Sequence, residues 1–203
     1  MENEQYYTRE PSCESRPVSC SFVYGGRCIT CETDAGVFSR GELDPGTRLL
    51  LDNLPPLTGD VLDLGCGWGP IGIAVAAANP SARVIMADVN LRALDLTRKN
   101  AKAAGVACEI LESDGMAALA GRRFDAVITN PPIRAGKQVI YKMFADAAAA
   151  LKPGGALYLV IRKQQGADSC AKYLKTLYER VEVLDRDDGY RVLRAAVSDE
   201  SDT

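Results

Sequence analysis

Val61-Leu-Asp-Leu-Gly-Cys-Gly-Trp-Gly69 is the stretch that decides how the rest of this chain is interpreted. Residues 61–64 are predicted to form a short buried strand, and a helix-compatible run follows at 71–78. The glycines at 65, 67 and 69 allow the backbone to turn sharply and to approach a ligand closely. Because the following helix presents unpaired N–H groups at its start, the strand, turn and helix predict half of a nucleotide-binding crevice.

Two classes of ligand are compatible with this turn. Gly67-Trp-Gly-Pro-Ile-Gly72 satisfies the dinucleotide fingerprint G-x-G-x-x-G, and Asp88 lies about twenty residues further on, where a ribose-binding acid is expected. Asp63, however, stands inside the strand just before the first glycine, and a carboxylate there would repel a pyrophosphate. A sulfonium amino acid such as S-adenosylmethionine carries an ammonium group and no phosphate, so Asp63 favours this second class.

The composition is typical of a globular protein, with 203 residues, of which 47% are hydrophobic and 25% charged. We expect a polar N-terminal arm over residues 1–20, a single domain over 21–197 and an acidic tail over 198–203. Within the domain, an N-terminal ribbon and lid (21–58) is predicted to precede a Rossmann-like core (59–197). The sequence has no run of membrane-span length and no signal-peptide pattern, so we expect a cytoplasmic protein without a membrane partner.

The chain contains seven cysteines and no histidine, which excludes histidine catalysis and histidine metal ligands. An odd number of cysteines in a chain of this size argues against a disulfide framework. Cys28-Ile-Thr-Cys31 has the C-x-x-C form of a zinc site, but it lies in a predicted strand, where residues three apart point to opposite faces. We therefore predict free thiols and no metal.

Short apolar strands alternate with helices along most of the chain. The predicted strands are 61–64, 83–88, 108–114, 124–129, 156–161, 181–185 and 190–197. This alternation predicts an α/β fold with a doubly wound, mostly parallel, seven-stranded Rossmann-like sheet and an antiparallel β ribbon ahead of it, over residues 21–38. Thr47 is predicted to be the N-cap of a short helix that ends at Asn53, and residues 38–47 are a candidate lid.

Polar or glycine-rich positions follow four successive strands of the predicted sheet. Ligands of such sheets bind beyond the carboxyl ends of the strands, so we expect these positions to form one site. Asp88 is predicted to accept hydrogen bonds from ribose hydroxyls, and Asp114 from an adenine amine. The predicted cofactor-binding residues are Asp63, Gly65, Cys66, Gly67, Gly69, Asp88, Asn90, Asp114, Gly115 and Asn130.

Asn130-Pro131-Pro132 follows the predicted strand 124–129 directly. Proline fixes φ and restricts the preceding residue to extended backbone, so Asn130 and the carbonyl of Pro131 are expected in one rigid geometry. An amide oxygen and a carbonyl make two acceptors that would orient an exocyclic –NH₂ group toward a methyl donor. We therefore predict that Asn130, Pro131 and Pro132 are the catalytic residues.

Asp-Leu-Gly-Cys-Gly-Trp-Gly at 63–69 resembles the cofactor loop of class I S-adenosylmethionine-dependent methyltransferases. With the segment 37–47 and Asn-Pro-Pro-Ile-Arg-Ala-Gly-Lys at 130–137, the chain is similar over most of its length to the small-domain ribosomal RNA guanine-N2 methyltransferases. The resemblance implies S-adenosylmethionine as cofactor and guanine N2 as methyl acceptor. It also implies ribosomal RNA or a ribosomal particle as the partner. We expect a monomer or a homodimer, between which the sequence does not decide.

Ile133 departs from that family, in which an aromatic residue usually follows the prolines and stacks on the target base. Phe38 or Tyr190 could take its place. Nearby basic residues are predicted to contact phosphates. The predicted substrate-binding residues are Phe38, Ile133, Arg134, Lys137, Arg162 and Lys163. The net charge of −3 does not indicate a general nucleic-acid binder, so a protein glutamine or small-molecule amine as acceptor, or a non-catalytic module that binds cofactor or RNA, stay open as alternatives.

Overall fold

The structure, a computed structural model, describes residues 8–200. It begins with an antiparallel hairpin of β1 (Val18–Tyr24) and β2 (Arg27–Thr33), which turns at Gly25 and Gly26. Both glycines have positive φ values, 54° and 75°, as tight hairpin turns require. The predicted N-terminal ribbon is confirmed, although β1 begins within the stretch predicted to be an arm.

A seven-stranded sheet forms the centre of the molecule. Its strands are β3 (Gly59–Leu64), β4 (Ala82–Asp88), β5 (Glu109–Glu112), β6 (Phe124–Thr129), β7 (Leu151–Arg162), β8 (Arg180–Asp187) and β9 (Tyr190–Ala196). They lie in the order β5-β4-β3-β6-β7-β9-β8, and only β9 pairs antiparallel, with β7 and β8. The predicted fold class, a mostly parallel Rossmann-like sheet with a ribbon ahead of it, is confirmed.

Helices cover both faces of this sheet. They are α1 (Pro45–Asp52), α2 (Pro70–Ala78), α3 (Leu91–Ala104), α4 (Lys137–Ala150) and α5 (Ala167–Leu174). Successive residues of β3 point to opposite faces, so Val61 packs in the core beneath α1, α2, α3 and the ribbon, whereas Leu62 packs in the core beneath α4 and α5. No helix within residues 8–200 is long and apolar enough to cross a membrane.

The start of α1 differs from the sequence prediction. Asp44, not Thr47, is the N-cap, and its Oδ2 accepts a hydrogen bond from the Thr47 N–H at 2.8 Å. Pro45 takes the first helical position, where its fixed φ fits and its missing N–H costs nothing. The helix therefore begins one turn earlier than predicted, and Thr47 lies inside it.

The segment before the hairpin packs on the domain. The N–H of Leu91, at the start of α3, donates to the carbonyl of Arg9 at 2.9 Å, and the Arg9 guanidinium pairs with Glu112 at 2.6 Å. Arg92 donates to the carbonyl of Cys13 at 2.8 Å. The described part of the predicted arm thus lies along α3 and β5. The rest of it, residues 1–7, and positions 201–203 of the predicted tail lie outside the described residues.

Candidate active site

A cavity of about 930 Å³ opens at the carboxyl ends of the parallel strands. The loops after β3, β4, β5, β6 and β7 form its wall, and residues from the connection between β2 and α1 face them. The predicted site residues that line it are Phe38, Gly65, Cys66, Gly67, Asp88, Asp114, Gly115, Asn130, Pro131, Pro132, Ile133, Arg134 and Arg162. The structure thus brings most of the predicted site together.

Some predicted site residues do not line the cavity. These are Asp63, Gly69, Asn90, Lys137 and Lys163. Gly69 begins α2 with a φ of 89°, and a Cβ there would come within 2.9 Å of Thr97, so it is a packing position. Lys137 extends over the Tyr141 ring, 5.0 Å from its centroid, and Lys163 is exposed to solvent. The basic residues of the predicted rim that line the cavity are therefore Arg134 and Arg162.

The turn after β3 exposes its backbone to the cavity. The N–H groups of Gly65 and Cys66 both donate to the carbonyl of Ala87, at 2.8 and 3.0 Å, which ties the turn to β4. Gly65 and Gly67 have φ values of 74° and 57°, a conformation that glycine adopts readily. A Cβ added to either would meet no atom within 4 Å, so both positions face open space where a ligand can approach the main chain.

Asp63 is completely buried beneath this turn. Its Oδ2 accepts a hydrogen bond from the Gly72 N–H at 2.8 Å, while Oδ1 has no partner in the described part of the chain. Burial raises the pKa of Asp63 to about 7, and the negative charge of Asp88 acts in the same direction. Asp63 is predicted to bind the cofactor, but its carboxyl group does not line the cavity. It accepts the hydrogen bond of the Gly72 N–H at the start of α2 instead.

Asp88, at the end of β4, does line the cavity and holds two backbone groups. Its Oδ2 accepts from the Gly67 N–H at 2.7 Å and its Oδ1 from the Asn90 N–H at 2.8 Å. Burial raises the pKa of this carboxyl group. Asn90 itself is buried: its Oδ1 accepts from the Ala93 N–H as the N-cap of α3, and its Nδ2 donates to the carbonyl of Gly36. Asn90 therefore does not line the cavity, but it connects the start of α3 to Gly36, which does line it.

Asn130 is held by two side chains that the sequence analysis did not include among the site residues. Its Nδ2 donates to Asp44 Oδ2 at 3.0 Å and to Thr47 Oγ1 at 2.9 Å. Within residues 8–200 nothing donates to its Oδ1, which leaves this oxygen as an acceptor at the cavity. The signal for Asp44 and Thr47 was their place in the candidate lid, 38–47, where the one role predicted was that of Thr47 as a helix N-cap.

The opposite wall carries the residues predicted to bind substrate. Ile133 is half-buried in a short 3₁₀ turn and packs against the core of α4, and the exposed Arg134 follows it. The Arg162 guanidinium lies over the Tyr190 ring, 4.4 Å from its centroid, and both residues line the cavity. Phe38 lines it from the lid side. Two aromatic side chains, Phe38 and Tyr190, and two arginines, Arg134 and Arg162, thus line the same cavity as Ile133.

Comparison with known proteins agrees with this geometry. The family model described as methyltransferase small domain matches residues 28–194. The chain belongs to the methyltransferase small domain family. The enzyme class predicted from the sequence is thereby confirmed.

Two relatives of this methyltransferase differ in how much of their length the chain covers. The uncharacterized protein YbxB of Bacillus subtilis (strain 168) is 39% identical over 197 residues, 95% of this chain and 98% of the relative. Ribosomal RNA small subunit methyltransferase C of Hahella chejuensis is 44% identical over 133 residues, 63% of this chain and 39% of the relative. The chain thus spans less than half of that second relative.

A solved structure shares the architecture of this methyltransferase. The 16S rRNA N2 G1207 methyltransferase of T. thermophilus, in complex with AdoMet and guanosine, superimposes with a TM-score of 0.81 at 30% identity. The match covers 89% of this chain and 50% of that one.

None of the cysteines of this methyltransferase belongs to a metal-binding group of the described residues. Cys28 is exposed and Cys31 is buried, as expected for alternate faces of β2. Burial raises the pKa of the thiol of Cys66, which belongs to the glycine turn. Among the described residues no group of three or more Cys, Asp or Glu side chains could hold a metal ion.

The buried Asp63 predicts a pH-dependent stability for this methyltransferase. Its pKa is about 7 in the folded chain and near 3.9 in an unfolded one, so the folded state binds the proton more tightly. The stability that this difference provides is complete below about pH 4 and is lost as the pH rises to about 7. Asp63→Asn keeps an oxygen for the Gly72 N–H but carries no charge.

We therefore expect the free energy of unfolding of the wild type, relative to Asp63→Asn, to fall by about 2 kcal/mol between about pH 5 and pH 8. Denaturant titrations at the two pH values measure it. A difference between the two proteins that does not change with pH would contradict the assignment.

Proposed function

We propose that this chain transfers a methyl group from S-adenosylmethionine to the exocyclic N2 amine of a guanine in ribosomal RNA. The observation that carries the proposal is the arrangement at Asn130. Asp44 and Thr47 occupy the donor side of its amide, so Oδ1 is left as an acceptor at the cavity, and we assign the carbonyl of Pro131, a residue that also lines the cavity, as the second acceptor. A primary amine has two hydrogens to donate, and this pair of oxygens can accept both.

The residues of the glycine turn and those beside it fit the cofactor. S-adenosylmethionine supplies an electrophilic methyl group on a sulfonium centre. Gly65 and Gly67 leave room for a ligand against the backbone, and each carboxylate oxygen of Asp88 has a further lone pair for a ribose hydroxyl. Asp114, exposed at the mouth after β5, is the acceptor that we assign to the adenine amine.

The side chains present can promote the reaction by orientation. Two acceptors hold the amine so that its lone pair points along one direction, and a fixed direction of approach supplies much of the rate. As the nitrogen forms its bond to carbon, it gains positive charge, which Asn130 Oδ1 stabilises through the N–H group. No strong base would be needed before attack, because the nitrogen would lose a proton to water only once it carries the methyl group.

The choice of guanine in ribosomal RNA is supported by the relatives and by the rim. The H. chejuensis and T. thermophilus proteins are named for ribosomal RNA methylation, and the second binds guanosine in its crystals. Arg134 and Arg162 place positive charge at the cavity for RNA phosphates. Ile133 supplies an apolar contact for the face of a base, in place of a ring.

Transfer of tritium from labelled S-adenosylmethionine tests this function. The substrates are unmodified ribosomal RNA transcribed in vitro, small ribosomal subunits from cells that lack the protein, and total protein from the same cells. We expect label in RNA or subunits and N2-methylguanosine after digestion to nucleosides. Label that survives nuclease and appears on protein glutamine would support the alternative substrate. Bound cofactor without transfer to any of the three would contradict an enzymatic role on them.

A further inference from the structure

The orientation of the Asn130 amide depends on the first turn of α1. Asp44 Oδ2 accepts both the capping hydrogen bond from the Thr47 N–H and one hydrogen bond from Asn130 Nδ2. Thr47 Oγ1 accepts the other, and this side chain is only 3% exposed. The backbone of this turn packs closely on Tyr190, since a Cβ added at Gly46 would come within 2.6 Å of its ring.

These contacts select one of the two orientations of the amide. Rotation by half a turn would place Oδ1 against the Asp44 carboxylate, where two acceptors would face each other without a hydrogen. In the observed orientation both N–H groups of Asn130 are satisfied by partners that lie far away in sequence, and one partner is charged. The amide therefore presents an acceptor, and not a donor, to the cavity.

We propose that Asp44 and Thr47 are positioning residues that make Asn130 selective for a primary amine, an inference that rests on the proposed function. With Oδ1 held toward the cavity, Asn130 accepts from an N–H group. In the opposite orientation it would donate, and would then favour an acceptor such as a ring nitrogen or carbonyl. The charged partner on the donor side also polarises the amide, which strengthens Oδ1 as an acceptor while the amine gains positive charge.

Two substitutions separate this role from helix capping. Thr47→Val is close in shape and keeps the backbone N–H that Asp44 caps, but it removes one acceptor of Asn130. Asp44→Asn keeps a good N-cap residue, yet its amide can donate to a rotated Asn130.

We expect Thr47→Val and Asp44→Asn each to lower kcat for the RNA amine by about tenfold, with unchanged affinity for S-adenosylmethionine. Thr47→Ser should restore kcat. Thr176→Val, at an exposed hydroxyl that bonds only a backbone carbonyl, is the matched control.

A measurement that needs no substrate tests the hydrogen bonds themselves. The side-chain NH₂ resonance of Asn130, identified by its loss in Asn130→Ala, should exchange slowly with water in the wild type and faster in Thr47→Val. In the Asn130→Ala background Thr47→Val should cause little further loss of kcat, because Thr47 acts through Asn130. Equal losses in both backgrounds, or exchange that the substitution leaves unchanged, would overturn the proposal. If the wild type methylates no RNA, only the proposed function fails, and the exchange result still decides whether the contacts orient the amide.

Discussion

Asn130→Ala is expected to lower the rate of methyl transfer by about 10²–10³-fold while the affinity for S-adenosylmethionine stays nearly unchanged. The substitution removes the acceptor that fixes the amine and stabilises its developing charge. It does not touch the glycine turn or Asp88, which we assign to the cofactor. Single-turnover rates with saturating RNA and calorimetric titration with S-adenosylmethionine measure the two effects separately.

The control for this variant is Asn79→Ala. Asn79 is half-buried like Asn130 and also makes side-chain hydrogen bonds, to Leu57 and Val75, but at the far end of α2. We expect Asn79→Ala to affect stability and to leave kcat unchanged. A transfer rate in Asn130→Ala equal to that of the wild type would remove Asn130 from the mechanism.

Asp88→Ala is expected to weaken binding of S-adenosylmethionine by about 100-fold. The variant loses charge-assisted acceptors for the ribose hydroxyls, each contributing about 1.5–3 kcal/mol. It also frees the N–H groups of Gly67 and Asn90, which Asp88 now holds at 2.7 and 2.8 Å, so the turn becomes less ordered. Calorimetric titration of the two proteins gives the ratio of dissociation constants.

Asp95→Ala provides the comparison for charge alone. Asp95 is an exposed acid on α3 that pairs with Arg98 at 2.9 Å, away from the cavity. We expect its removal to leave the dissociation constant unchanged. If Asp88→Ala bound S-adenosylmethionine as tightly as Asp95→Ala, the ribose assignment would be wrong.

The architecture and the place of the site could be predicted from local patterns. Short apolar strands that alternate with helical periods predict a mostly parallel sheet, and polar groups that follow its parallel strands must meet at one edge of it. Asp88, Asp114 and Asn130 come together for this reason. These predictions depend only on residues near each other in the chain.

The orientation of individual side chains could not be predicted in the same way. Asn130 is satisfied by partners 86 and 83 residues away, and no local pattern connects them. Asp63 could be placed at the end of a strand, but the sequence does not tell which side of the following turn its carboxyl group occupies. The N-cap of α1 lies three residues before the predicted Thr47, because Asp44 caps the helix and Pro45 takes its first position.

The buried indole of Trp68 has a practical consequence. It is the sole tryptophan of the chain, lies between two glycines of the turn, and is 1% exposed. Its Nε1 donates to the carbonyl of Phe38 at 3.0 Å, so this hydrogen bond connects the glycine turn to the candidate lid. Movement of that segment would admit water to the indole and shift its fluorescence emission to longer wavelength. Ligand arrival could then be followed in real time by the intrinsic emission of the unlabelled protein.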